Sequence, residues 1–133
     1  MNWINGYRKG NKKEKSSLTF RLGTFTVIEV RIEKNKFRED QWRASHLRSF
    51  KYELWQKLDA QDLKDDDGEY YPMTYDQAIM LPLLEMASER SHYIPEILYV
   101  YNKENPLSVD KIKAQQQSAL AKKIRSKKKY SRV

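Results

Sequence analysis

Three observations predict an α/β fold with few strands of its own and two or three packed helices. Residues 24–32, TFTVIEVRI, and 93–101, YIPEILYVY, are rich in β-branched and aromatic types and read as strands. Segments near 46–58 and 75–87 carry apolar residues at helical spacing. Residues 110–128 read as a third helix that grows increasingly basic. A chain of 133 residues, 39% of them apolar, supports one modest core.

Taken in order, NGYRKGNKKEKSS at 5–17 is polar and reads as a loop. The 24–32 strand follows, and NKFRED turns the chain. Ser45 is the expected N-cap of a helix over 46–58. Leu47, Phe50, Leu54 and Leu58 form its apolar face, with Trp55 and His46 at the borders. DAQDLKDDDGEYYP is an acidic loop ending at Pro72. Thr74 is the expected N-cap of the next helix, and Gln77 stands at the capping-box spacing. Nearly every residue from 78 to 87 is apolar, which predicts burial on most sides. Pro82 removes one backbone bond there and predicts a bend. Pro95 places the start of the 93–101 strand at a sheet edge. Residues 126–133, SKKKYSRV, are expected to fray, and removal of 119–133 is expected to leave the fold intact.

Charge is unevenly distributed. Residues 1–58 hold 14 Lys+Arg against 6 Asp+Glu, residues 59–96 hold 2 against 10, and residues 110–133 hold 9 against 1. The basic ends suggest an acidic partner, whereas the acidic middle would repel phosphate. The chain has no cysteine, so disulfides and thiolate zinc sites are excluded. Its longest apolar run, AIMLPLL, is far below the roughly 20 residues of a membrane span. The N-terminus has no apolar h-region, so a secretory signal is not expected and a cytoplasmic location is.

The acidic run does not match a calcium loop. With Gly68 as the turn glycine, Leu63 and Thr74 fall at the first and last ligand positions. DDD also spells D-x-D, yet DLK precedes it rather than a buried strand, so a solvated loop is expected. His46 and His92 lack a third ligand at helical spacing. The sequence therefore assigns no metal ligand. Asp76 falls in the first turn of the 75–87 helix, where free N–H groups and the macrodipole favour negative charge.

FREDQWRASHLRSFKYELW, GEYYPMTYDQAIMLPLLEMA and ILYVYNKENPLS, in that order, resemble the C-terminal, acceptor-side half of family 2 glycosyltransferases of the GT-A fold. The resemblance spans 37–108. It leaves 1–36 as an N-terminal loop and strand region and 109–133 as a basic helix and tail. It implies a partial GT-A-like unit in which Asp76 is the catalytic base that takes the proton of an attacking sugar hydroxyl. Tyr75 stands where the family keeps an acid. The resemblance places His46, Arg48 and Tyr75 on the acceptor side. It places Tyr101, Asn102 and Asn105 on the donor side, where the family carries a Tyr-Arg-x-His type loop. The nucleotide-binding half and its D-x-D are missing from the resemblance. The implied protein is thus a segment for sugar transfer from a nucleotide sugar to a glycan or lipid-linked acceptor, incomplete without a donor-binding half that a separate chain could supply. No cofactor is expected on this chain alone, and manganese or magnesium is expected in the complete enzyme. The alternative is a small basic interaction protein that binds nucleic acid or an acidic partner.

Overall fold

The computed structural model describes residues 2–5, 34–40, 42, 48–94 and 106–133. In chain order these form strand β1 (Asn2–Asn5), helix α1 (Tyr52–Trp55), a 3-10 turn (Ala60–Leu63), helix α2 (Tyr75–Ala87), a second 3-10 turn (Ser88–Arg90), strand β2 (Ser91–Ile94) and helices α3 (Val109–Ile112) and α4 (Ala114–Ser126). The described part is thus mainly helical. β1 and β2 pair in parallel, with Asn2 opposite Ser91 and Asn5 opposite Ile94. A parallel pair needs a long connection between its strands, and here α1 and α2 lie in it, while α3 and α4 follow β2.

α2 organises that core. Ala78 and every residue from Met80 to Ala87 are buried, as the apolar run predicts. One side packs on Leu54, Phe37, Trp42 and Tyr130 through Met80, Leu83, Leu84, Met86 and Ala87. The other side joins Ala78 and Leu81 to Tyr71 and Ile124, with Leu63 and Leu120 at the margin. Phe37 and Trp42 touch both clusters. Pro82 lies inside the helix and is buried. Lacking an N–H, it cannot make the helical bond to the carbonyl four residues back.

The buried run contains one acid, Glu85, whose side chain is 0% exposed. Such a carboxylate persists only with a partner and well-placed hydrogen bonds. Arg38 supplies both. Its Nε reaches Glu85 Oε1 at 2.6 Å and its Nη2 reaches Oε2 at 3.0 Å, a two-pronged match. Arg38 Nη1 also donates to the Ile124 carbonyl at 2.7 Å, and Oε2 accepts from the Tyr130 amide at 3.0 Å. Two remote stretches of chain, at Arg38 and Tyr130, therefore meet on one carboxylate.

Several expectations are corrected. The 46–58 helix is cut to α1, because Lys51 at its N-cap is extended and Arg48, Ser49 and Phe50 are not helical. Phe50 instead lies at the protein surface and stacks on Trp55, ring centroids 6.4 Å apart. β2 begins at Ser91, two residues before the expected start of the 93–101 strand, and includes Tyr93 and Ile94. The remainder of the expected 93–101 strand, the 24–32 strand, Ser45 and the 5–17 loop beyond Asn5 lie outside the described residues. β1 itself was not expected. The basic helix is broken at Lys113 into α3 and α4.

The C-terminal segment does not fray. Ile124 is 1% exposed inside the second cluster. Beyond α4, the Tyr130 hydroxyl donates to Asp62 Oδ2 at 2.7 Å and accepts from the Asp59 amide at 2.9 Å. Lys127 Nζ donates to the Gln61 and Lys64 carbonyls at 3.1 and 2.8 Å. The Val133 amide donates to the Met86 carbonyl at 3.2 Å. Leu120 and Ile124, four residues apart, give this lysine-rich helix an apolar edge that α2 covers.

Burial, and then the bond to Asp62, push the Tyr130 hydroxyl up from 10.0 to about 12. A raised folded-state value means that Tyr130 contributes stability fully below about pH 10 and loses it as pH rises through about 12. Melting temperature should therefore fall across that window. Tyr130→Phe should remove part of the slope, and an identical slope in both proteins would contradict this contribution.

Candidate functional site

The N-terminal mouth of α2 is where sequence expectation and structure meet. Thr74 sits at the N-cap with φ 61° and ψ 11°, in the left-handed region. It does not cap through its side chain. Its carbonyl accepts the first helical bonds, from the Gln77 amide at 3.0 Å and the Ala78 amide at 3.3 Å. Its hydroxyl turns away and donates to the Gln117 carbonyl of α4 at 3.4 Å. The expected capping box is thus not formed. Left-handed backbone points the hydroxyl at α4, and the Gln77 side chain accepts from Arg125 Nε at 3.2 Å instead. Arg125 also donates to the Asp40 carbonyl. Burial pushes the Arg125 guanidinium below its ordinary value, with the Asp40 charge opposing that shift.

Asp76 stands in the first turn, as expected from its position after the cap. Its side chain is 36% exposed, so the carboxylate is reachable from solvent. Arg48 Nη2 lies 3.4 Å from Oδ2 and is itself only 12% exposed. The guanidinium carbon of Arg48 sits 5.7 Å from the Trp42 ring centroid, within cation–π range. Trp42 thereby backs the arginine, and the arginine backs one oxygen of Asp76. Oδ1 makes no hydrogen bond among the described residues. Tyr75, beside it, is largely exposed.

The structure therefore brings two of the candidate residues together, Arg48 and Asp76, with Tyr75 adjacent in the chain. His46, Tyr101, Asn102 and Asn105 lie outside the described residues. The Arg48–Asp76 pairing spans 28 positions, and no local pattern signals it. Neither does any pattern signal the role of Trp42 or the left-handed turn at Thr74. The Arg38–Glu85 pair had a readable signal, since an acid inside a buried apolar run calls for a buried cation.

The acidic loop is a tight turn. Lys64 and Tyr70 form an antiparallel bridge around Gly68, whose φ is 81°. Asp65 Oδ1 accepts from the Asp67 and Glu69 amides at 3.0 and 3.2 Å. Lys123 pairs with Asp66 at 2.7 Å, and that bond raises the lysine above its ordinary value. Among the described residues, no group of three or more His, Asp or Glu side chains is placed to hold a metal ion. No described helix is long and apolar enough to cross a membrane.

Chemically, the mouth offers a partly solvent-exposed carboxylate at the start of a buried helix, held at one oxygen by a cation. Such a group can accept a proton from a bound hydroxyl. No family model, no curated protein and no solved structure matches this chain.

Proposed function

We propose that this chain is the acceptor-side segment of a nucleotide-sugar-dependent glycosyltransferase with a partial GT-A-like fold, and that Asp76 is its general base. The sequence resemblance supplies the reaction class. The observation that carries the assignment of the base is the half-exposed Asp76 carboxylate at the mouth of α2, with Oδ2 engaged by Arg48 at 3.4 Å. In the proposed step the acceptor oxygen attacks the anomeric carbon. The bond to the diphosphate oxygen breaks, the electron pair leaves with the nucleoside diphosphate, and the hydroxyl proton passes to Asp76. The donor is held by a separate nucleotide-binding half. His46 on the acceptor side, and Tyr101, Asn102 and Asn105 on the donor side, complete the proposed site.

The rival reading, a basic protein binding nucleic acid or an acidic partner, draws on the tail cations. Lys123, Lys127 and Arg132 are already paired with Asp66, Asp62 and Glu89. That leaves fewer cations for phosphate, which favours the transferase reading.

Asp76→Asn keeps size and remains compatible with a helix start, while it removes the proton acceptor. Introduced at the native locus, it should lower transferase activity in cell extracts by about 10²- to 10⁴-fold. The purified variant should lose at most about 1 kcal/mol of stability. Unchanged activity alongside a normal amount of protein would remove Asp76 from the mechanism.

A further inference from the structure

The residue before Tyr75 and Asp76 is in an unusual state. Thr74 is β-branched, 5% exposed, and left-handed at φ 61°. For a β-branched residue that conformation is an outlier, and it persists only when its surroundings over-determine it. Here the surroundings are identifiable. The hydroxyl bonds the Gln117 carbonyl, 43 positions away on α4, at 3.4 Å, and the carbonyl is already committed to Gln77 and Ala78. One helical position further on, Arg125 of α4 grips the Gln77 side chain at 3.2 Å. The side of α4 that meets the mouth of α2 therefore contacts both neighbours of the Tyr75–Asp76 pair and holds the turn that sets their direction.

We propose that Thr74 is a positioning residue: its strained left-handed turn, locked by the Gln117 carbonyl of α4, aims the Asp76 carboxylate at the acceptor hydroxyl and at Arg48. This rests on the reading of Asp76 as the base. Without that bond Thr74 could relax to the ordinary extended N-cap, which would turn the start of α2. The locked turn prevents this, and a carboxylate displaced by about 1 Å can lose two orders of magnitude in rate.

Two substitutions separate conformation from packing. Thr74→Val keeps size and branching but removes the lock. Thr74→Asn is close in size, tolerates the left-handed region, and can still donate to Gln117. In the purified chain, Thr74→Val should speed amide exchange at Asp76, Gln77 and Ala78 about tenfold, with Leu83 to Met86 in the same helix unchanged. Thr74→Asn should leave the mouth protected and raise the melting temperature by about 3 °C. In extracts, Thr74→Val should lower maximal turnover about tenfold with KM unchanged, and Thr74→Asn should restore it. Uniform exchange along α2 in Thr74→Val, or equal losses of turnover in both variants, would overturn the proposal. If Thr74→Val keeps full turnover where Asp76→Asn loses it, Thr74 does not position the base, although the base assignment stands. If Asp76→Asn also keeps it, the base assignment falls first and Thr74 positions nothing catalytic.

Discussion

Removal of residues 119–133 is expected to abolish the cooperative thermal transition. The segment carries Ile124, fully enclosed against Tyr71, Ala78 and Leu81. Truncating a buried isoleucine to alanine alone costs about 2–5 kcal/mol. Deletion also takes away the Ile124 carbonyl that receives Arg38, the Tyr130 amide that serves Glu85, and the Lys127 bonds that fasten the Gln61–Lys64 turn. The loss that matters most is at Arg38, whose Nη1 is left without its acceptor beside the buried Glu85, at about 1–3 kcal/mol. Domains of this size have only about 5–15 kcal/mol in hand. Circular dichroism of the truncated chain should show a broad, featureless melt. A cooperative transition within a few degrees of the full chain would show that the tail contributes no packing.

Glu85→Leu is expected to cost about 3–5 kcal/mol in urea unfolding, because it strands the Arg38 guanidinium in a dry interior. The Arg38 side chain is 8% exposed and is held between α2 and α4 by Glu85 and the Ile124 carbonyl. Arg38→Met alone should cost a similar amount by stranding the carboxylate. The pair together tells more than either. Removing both charges removes the unpaired partner, so Arg38→Met/Glu85→Leu should recover most of the loss, with an interaction energy of about 2–3 kcal/mol. Simple additivity of the two single substitutions would mean that the carboxylate and guanidinium are not held as one unit.

α2 was legible because its signal is concentrated: a dense apolar run, preceded by Asp76 in the first turn, leaves few other foldings. The tail was misread for the opposite reason. Leu120 and Ile124 are two apolar residues among many lysines, and local polarity outweighed a four-residue spacing whose value depends on what lies opposite. Thr74 was read as a side-chain cap, because threonine before an apolar run usually is one. The left-handed backbone that redirects its hydroxyl is imposed by α4, which begins forty positions later. The helix expected over 46–58 illustrates the same limit. Its apolar spacing is real at Leu54, which is buried, but Phe50 finds its partner in Trp55 at the surface rather than in the core. Of the site, the acid could be read and its arginine could not, since a pairing across 28 positions belongs to the tertiary structure alone.

The meeting of Arg38, Glu85, Ile124 and Tyr130 also orders events during synthesis. A ribosome adding about 5–20 residues per second exposes the whole of α2 for seconds before Ile124 and Tyr130 emerge. Throughout that interval Leu81 lacks a cover, Glu85 lacks one of its donors, and the joint at Thr74 has no carbonyl to lean on. The nascent chain therefore carries an open greasy helix with a charge in its middle, a surface suited to chaperone capture. The cover of Leu81 arrives only with the lysine-rich helix, whose Ile124 is among the last core residues to be made.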